Sequence, residues 1–106
     1  MTIKKLKFKN IPIKVAGILF PSKKEAGRYL ELLNLEKFGH IHNLELQTKF
    51  PIEIKGQKVF TYKADFTYFT EKGDFVIEDV KGVKTPIYRL KKKCVEAFYG
   101  HSIVEI

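Results

Sequence analysis

The 106-residue sequence has one cysteine, Cys94, so it holds neither an internal disulfide framework nor a multi-cysteine zinc site. No apolar run approaches the ~20 residues that cross a bilayer. The opening MTIKKLKFKN also lacks the apolar core of a signal peptide. The expectation is a soluble, cytoplasmic domain. Glycine never clusters: Gly56, Gly73, Gly82 and Gly100 stand singly at turns, which excludes a Gly-rich phosphate loop. There is no internal repeat, no low-complexity tract and no Gly/Ser/Pro linker. Acids are missing from two stretches. Residues 1–14 hold Lys4, Lys5, Lys7, Lys9 and Lys14 with no acid, and residues 81–93 hold Lys81, Lys84, Arg89, Lys91, Lys92 and Lys93 with none.

What is present sets the frame. Hydrophobic residues make up 44% and aromatics 13%, which excludes a disordered chain. A chain of this length supports one domain that buries roughly 60–70% of the surface of its unfolded form. Residues 1–106 are therefore read as one domain, with a basic hairpin over 1–21 and a core over 22–106. Any binding and any chemistry must share that core. Twenty Lys and Arg against 12 Asp and Glu give a net charge of +8. Such an excess attracts polyanions through Coulomb energy and counterion release, although a solvated basic surface accounts for the number equally well. The placement of the charges has to decide.

Hydrophobic periodicity gives the order of elements. IPIKV, the turn Ala16-Gly17 and ILF read as a short hairpin over 11–20. Ser22-x-x-Glu25 has the spacing of a capping box, and Ala26, Tyr29, Leu30, Leu33 and Phe38 follow as the apolar face of a helix ending at Gly39. NLELQTKF then alternates, with Leu44, Leu46 and Thr48 on one side and Glu45, Gln47 and Lys49 on the other. VFTYKADFTYFT places Phe60, Tyr62, Ala64, Phe66 and Tyr68 on one face, which reads as a core face under a helix more readily than as a base-stacking platform. Glu71-Lys72-Gly73 is a turn and DFVIEDVK a third strand. Thr85-Pro86 opens a second helix with the apolar stripe Ile87, Leu90, Cys94, Ala97 and Phe98. Cys94 is thus expected as a small core residue. Gly100 ends that helix, and HSIVEI is a last strand. The predicted fold is α/β with a mixed sheet.

The two central strands carry the sharpest chemical signal. A turn through residues 71–73 pairs Thr70 with Asp74 and, counting back, sets Asp65 opposite Asp79. Opposed residues have Cβ atoms ~5 Å apart, so two carboxylates there need a cation or a raised pKa. Lys81 lies two residues beyond Asp79 and shares its face by alternation. Two acids and a lysine at strand ends beside a basic helix suit metal-assisted phosphodiester chemistry, and oxygen ligands with retained waters suit Mg²⁺. A surface Lys-Asp pair with a neighbouring acid gives the same pattern at little energetic value. Elsewhere, His40-Ile41-His42 lacks a third ligand at metal spacing and reads as a polar loop, and His101 starts the last strand.

A resemblance adds to this. The runs Gly17-Ile18-Leu19-Phe20-Pro21-Ser22-Lys23-Lys24-Glu25-Ala26 with Arg28-Tyr29, Asn43-Leu44-Glu45-Leu46-Gln47, Tyr62-Lys63-Ala64-Asp65-Phe66, Glu78-Asp79-Val80-Lys81-Gly82, and Lys84-Thr85 with Tyr88 and Lys91 resemble blocks of a group of small phage and prophage proteins. That group is placed among the PD-(D/E)XK nucleases, with restriction enzymes, junction resolvases and TnsA-type endonucleases. The resemblance spans residues 17–93 and implies a restriction-endonuclease-like core of helix, three antiparallel strands, helix and strand. It also implies that Asp65 is the first acid, Asp79 the (D/E) position and Lys81 the lysine. The first acid here follows Ala64, not proline. Glu25 matches an extra acid of the site, and its competing role is the capping box. Glu78 is the rival of Asp79, but alternation turns it to the opposite face from Lys81. Gln47 either lines the cleft or simply faces solvent.

The function expected is a Mg²⁺- or Mn²⁺-dependent endodeoxyribonuclease acting on branched (Holliday junction) or duplex DNA, and the resemblance implies that its products carry 5′-phosphates and 3′-hydroxyls. Asp65, Asp79, the carbonyl of Val80 and Glu25 would hold the metal, and Lys81 would orient the attacking water. Lys84, Arg89, Lys92 and Lys93 would grip the DNA backbone. One site cuts one strand, so two-strand cleavage calls for a homodimer. Two other classes remain open: a non-catalytic DNA-binding module on a nuclease scaffold, and a subunit of a transposase or packaging machine that needs a partner.

Overall fold

The computed structural model describes residues 12–106, so the basic opening through Lys9 lies outside the described residues. Two short strands, β1 (Ile13–Val15) and β2 (Ile18–Phe20), form an antiparallel hairpin whose closing pair is Val15↔Ile18. The two-residue loop Ala16-Gly17 has positive φ at both positions, +52° and +82°, the backbone that matches strand twist in a tight hairpin. Helix α1 (Lys23–Lys37) starts at Ser22, whose side chain accepts a hydrogen bond from Glu25 N–H. It ends at Gly39 (φ +80°), with His40 N–H bonded back to Leu35 C=O, a left-handed closure that glycine tolerates without strain.

A four-stranded mixed sheet follows in the spatial order β3-β4-β5-β6. β3 (Ile41–Ile54) and β4 (Gln57–Thr70) form one long hairpin through Lys55-Gly56, again with both φ values positive. β3 continues to Ile54, past Phe50, where the alternating run NLELQTKF ends. Pro51 does not end it because β3 is an edge strand, where a missing amide donor is tolerated. β5 (Phe75–Asp79) pairs antiparallel with β4, and Thr70 N–H bonds Asp74 C=O across the 71–73 turn as expected. Helix α2 (Pro86–Tyr99) has Thr85 as N-cap and Gly100 as its left-handed C-terminal residue. It crosses over to β6 (Ile103–Glu105), parallel to β5. The last strand thus starts two residues after His101, which packs edge-on against Phe75. The α/β class, the mixed sheet and the N-terminal hairpin all stand.

Three expectations about the core are corrected. The face Tyr62-Ala64-Phe66-Tyr68 is divided: Tyr62 and Ala64 join the cluster under α2, with Phe50, Ile77, Tyr88 and Val95, whereas Phe66 and Tyr68 join the cluster under α1, with Ala26, Tyr29 and Leu32. Alternation therefore reverses between residues 64 and 66. It reverses on β3 at the same level, where Leu46 sits with the α1 cluster, while Thr48 pairs with Ala64 and bonds Thr67, the partner of Ile77. The ladder skips the Gln47/Asp65 pair at that level, and Gln47 has φ +54°. On α1, Leu30 and Phe38 are exposed and Leu32 takes the buried position. On α2 the stripe Ile87, Leu90, Ala97 and Phe98 faces outward and Cys94 is half-buried, because Tyr88 and Val95 are the residues that meet the sheet.

Candidate functional site

The break in the ladder lies at the acidic pair. Asp65 N–H has left the backbone ladder and donates to Asp79 Oδ1 at 2.9 Å. In return, Val80 N–H donates to Asp65 Oδ2 at 2.8 Å, and the Gln47 amide donates to Asp65 Oδ1 at 3.3 Å. Each carboxylate thus accepts a backbone donor from the other's strand, and this is how two like charges are held side by side. The register that sets Asp65 against Asp79 continues the Phe66↔Glu78 pair by one step.

Asp79 is fully buried, and its second oxygen, Oδ2, has no hydrogen-bond partner. Burial pushes its pKa up, and the hydrogen bond from the Asp65 amide and the charge of Lys81 offset only part of that. An ionised carboxylate with a bare oxygen in such a place favours a proton or a cation. Glu25, in the first turn of α1, is also buried, and its pKa is pushed up to about 7 by desolvation and by the charges of Asp65 and Asp79, while Lys81 opposes the shift. Its carboxylate makes no return bond to the Ser22 amide, so only the Ser22 half of the capping box forms. Glu25 is thereby coupled to the acidic pair, not consumed as a cap. Lys81, just beyond the end of β5, has its ammonium 4.9 Å from the centre of the Tyr88 ring. Among the described residues, no three His, Cys, Asp or Glu side chains are arranged to hold a metal ion. The group consists of a directly bonded pair with Glu25 and Lys81 acting on it through charge.

Glu78, one residue from Asp79, has a different environment. It projects to the α1 side and is buried. Arg28 binds it with two parallel bonds of 2.9 and 2.7 Å, and the Tyr68 hydroxyl donates to the same carboxylate. Desolvation and this bond push the Tyr68 hydroxyl up to about 12. The alternation that set Glu78 against Lys81 in the sequence reading holds.

The basic residues form a second feature beside the pair. Lys84, Arg89, Lys92 and Lys93 line one cleft of about 410 Å³ together with Glu96 and Glu105. Lys84 pairs with Glu105 at 3.2 Å, and Lys92 lies 3.9 Å from Glu96 and 3.6 Å from Glu105. Arg89 and Lys93 have no acidic partner among the described residues. Glu105 sits opposite Asp79 in the β5–β6 register and accepts from the Tyr88 hydroxyl at 2.7 Å, so the cleft adjoins the acidic pair. These hydrogen bonds and lysines hold the Glu105 carboxyl below the usual range. Glu105, Tyr88 and Arg28 were not singled out from sequence as members of this neighbourhood. Only the parallel pairing of β6 and the turn of α2 bring the first two here, and neither leaves a local motif. His40, by contrast, precedes β3 and lies 3.7 Å from Glu71, whereas Ile41 and His42, expected in a loop, open β3.

No helix among the described residues is long and apolar enough to cross a membrane. No curated protein and no solved structure matches the chain. Residues 4–104 match the family described as "Protein of unknown function (DUF1064)", a span that covers the hairpin, the acidic pair and the basic cleft, and the chain belongs to that family.

Proposed function

We propose that the protein is a divalent-metal-dependent DNA endonuclease on a restriction-endonuclease-like core. The observation that carries this reading is the buried, unpartnered Oδ2 of Asp79, held at the end of β5 beside Asp65, where the ladder of β4 breaks, with Lys81 following. A cation would satisfy that bare oxygen, and Asp79, Asp65, the Val80 carbonyl and Glu25 supply the all-oxygen donor chemistry that Mg²⁺ or Mn²⁺ takes. When bound, such an ion supplies Lewis acidity toward a phosphate oxygen and lowers the pKa of a bound water.

The chain's own groups do the rest. The Asp65–Asp79 pair fixes the negative pole of the site, because a backbone N–H of the facing strand segment holds each carboxylate in its rotamer. Glu25, held at about 7 by burial and by the charges of Asp65 and Asp79, would give up its proton as a cation binds beside it. Lys81 offsets charge that builds on the phosphate, and its contact with the Tyr88 ring keeps it near the pair. Arg89 and Lys93, free of ion pairs among the described residues, would meet the DNA backbone first. Lys84 and Lys92 join when phosphate displaces Glu105 and Glu96. Gln47 orients Asp65. The test is incubation with branched and linear DNA in Mg²⁺ or Mn²⁺. Wild type should cleave and Asp79→Ala should not; cleavage that survives Asp79→Ala, or wild type that never cuts, rejects the reading.

The absence of a three-carboxylate cluster among the described residues favours one second reading, a DNA-binding module without chemistry. That reading requires DNA affinity that falls steeply with salt and is unchanged by chelation or by Asp79→Ala.

A further inference from the structure

Helix α2 carries three faces where an amphipathic helix needs two. Tyr88 and Val95 meet the sheet, and Arg89, Lys92, Lys93 and Glu96 line the basic cleft. The third face, Ile87, Leu90, Cys94, Ala97 and Phe98, is apolar and turned outward: Ile87 is 59% exposed, Leu90 58% and Phe98 55%. Its spacing of three, four and three residues is that of a coiled-coil seam, narrower than a core stripe. Beside the seam, Cys94, Ala97 and Phe98 with Ile52 and Ile54 line an apolar groove of about 320 Å³.

We propose that this seam is a homodimer interface, on which a second copy lays its own α2, antiparallel, about a two-fold axis passing between Leu90 and Cys94. Three observations favour a second copy over any other occupant. The seam is self-complementary: its midpoint falls near residue 92, so Leu90 of each copy meets the small Cys94 of the other and Ile87 meets Ala97, with the groove beside Cys94 and Ala97 to receive them. The area is sufficient, since Ile54, Ile87, Leu90 and Phe98 present roughly 400–500 Å² per copy and about 1,000 Å² in a pair, the lower end for a specific interface. The flanks also agree. At ~100° per residue, Arg89 and Lys93 lie about a quarter to a third of a turn from the seam. An antiparallel two-fold pair carries both basic flanks to the same side of the dimer. Both acidic pairs then border one continuous basic surface, an arrangement that suits one nucleic acid held by two sites. That last point rests on the nuclease reading; the interface does not.

The two basic flanks repel each other, so association tightens as salt rises, opposite to the salt dependence of DNA binding. Analytical ultracentrifugation of the full chain, without DNA or metal, reads the interface alone. Wild type should show a monomer–dimer equilibrium in the micromolar range. Leu90→Asp and, separately, Ile87→Glu should weaken it by about 100-fold with unchanged circular dichroism. A short bismaleimide should cross-link wild type through Cys94, but not Leu90→Asp or Cys94→Ser. A wild type that stays monomeric at high salt overturns the proposal, as does a dimer that survives both substitutions. Slow thiol labelling of Cys94 in a monomer also overturns it, because the seam is then covered by the chain itself. Cleavage assays fail or succeed independently of these results.

Discussion

Glu78 and Asp79 are consecutive, equally buried and acidic, yet the two sides of the sheet treat them oppositely. On the α1 side, Glu78 meets a guanidinium and a phenol that together satisfy both of its oxygens. On the α2 side, Asp79 receives one backbone donor, and its other oxygen is bare. Burying a carboxylate costs several kcal/mol unless geometry and hydrogen bonds compensate. The α1 side shows that this fold can compensate fully at that depth. The α2 side leaves two buried polar atoms without a partner, Asp79 Oδ2 and the Tyr62 hydroxyl, which separates a carboxylate that holds α1 to β5 from one left open to a proton or a cation.

The strongest way to break this comparison is to neutralise each acid in turn. Glu78→Ala leaves Arg28 with only the exposed Glu31 and the Tyr68 hydroxyl with no acceptor, and should cost about 3 kcal/mol in urea unfolding. Asp79→Asn keeps an acceptor for the Asp65 amide and removes the uncompensated charge, so it should leave stability unchanged or raise it by about 1–2 kcal/mol at neutral pH. If the two effects came out reversed, Asp79 would be the structural acid and the proposed site would lose its basis.

The pH dependence is smaller and sharpens the same contrast. The carboxyl of Glu25 moves from about 4.5 to about 7 on folding, and that of Asp79 also rises. A raised pKa means that the native state binds protons more tightly than the unfolded chain. The stability Glu25 contributes is full below pH 4.5 and is lost as pH climbs through 7, and Asp79 acts in the same direction. For Glu25 the loss should be on the order of 2 kcal/mol, seen as a falling thermal midpoint between pH 4.5 and 7.5, and Glu25→Gln should flatten the curve. Mg²⁺ should restore the midpoint of wild type at pH 7.5 but not that of Asp79→Asn. A chelator-independent curve with no Mg²⁺ response would favour the module without chemistry.

Much of this was legible locally. Ser22, Gly39, Thr85-Pro86 and Gly100 mark helix ends through their own backbone chemistry, and the 71–73 turn alone set Asp65 against Asp79. Two things were hidden. Periodicity finds an apolar stripe but not which stripe meets the sheet: α2 has two, and the tyrosine-valine one won because Tyr88 also reaches Glu105. Strict alternation across VFTYKADFTYFT carries no mark of its reversal at Asp65, because that reversal depends on a carboxylate of another strand taking the Asp65 amide. The Lys55-Gly56 turn was readable, and two alternating runs around an x-Gly dipeptide should have signalled the long hairpin.

The smallest expected effect tests what holds the reversal in place. Gln47 sits at φ +54°, a conformation that costs an ordinary residue about 1 kcal/mol and glycine almost nothing, and its amide reaches Asp65 across a long, exposed bond. Gln47→Ala should therefore destabilise by about 0.5 kcal/mol, through the lost bond alone. Gln47→Gly relieves the backbone while losing the same bond, so it should equal or exceed wild type in urea unfolding, by up to about 1 kcal/mol. If glycine alone preserves DNA cleavage, the residue matters for the bend that brings Asp65 to Asp79. If both substitutions lower cleavage alike, the amide itself orients the carboxylate, and strain at this position is retained for the side chain that Asp65 needs.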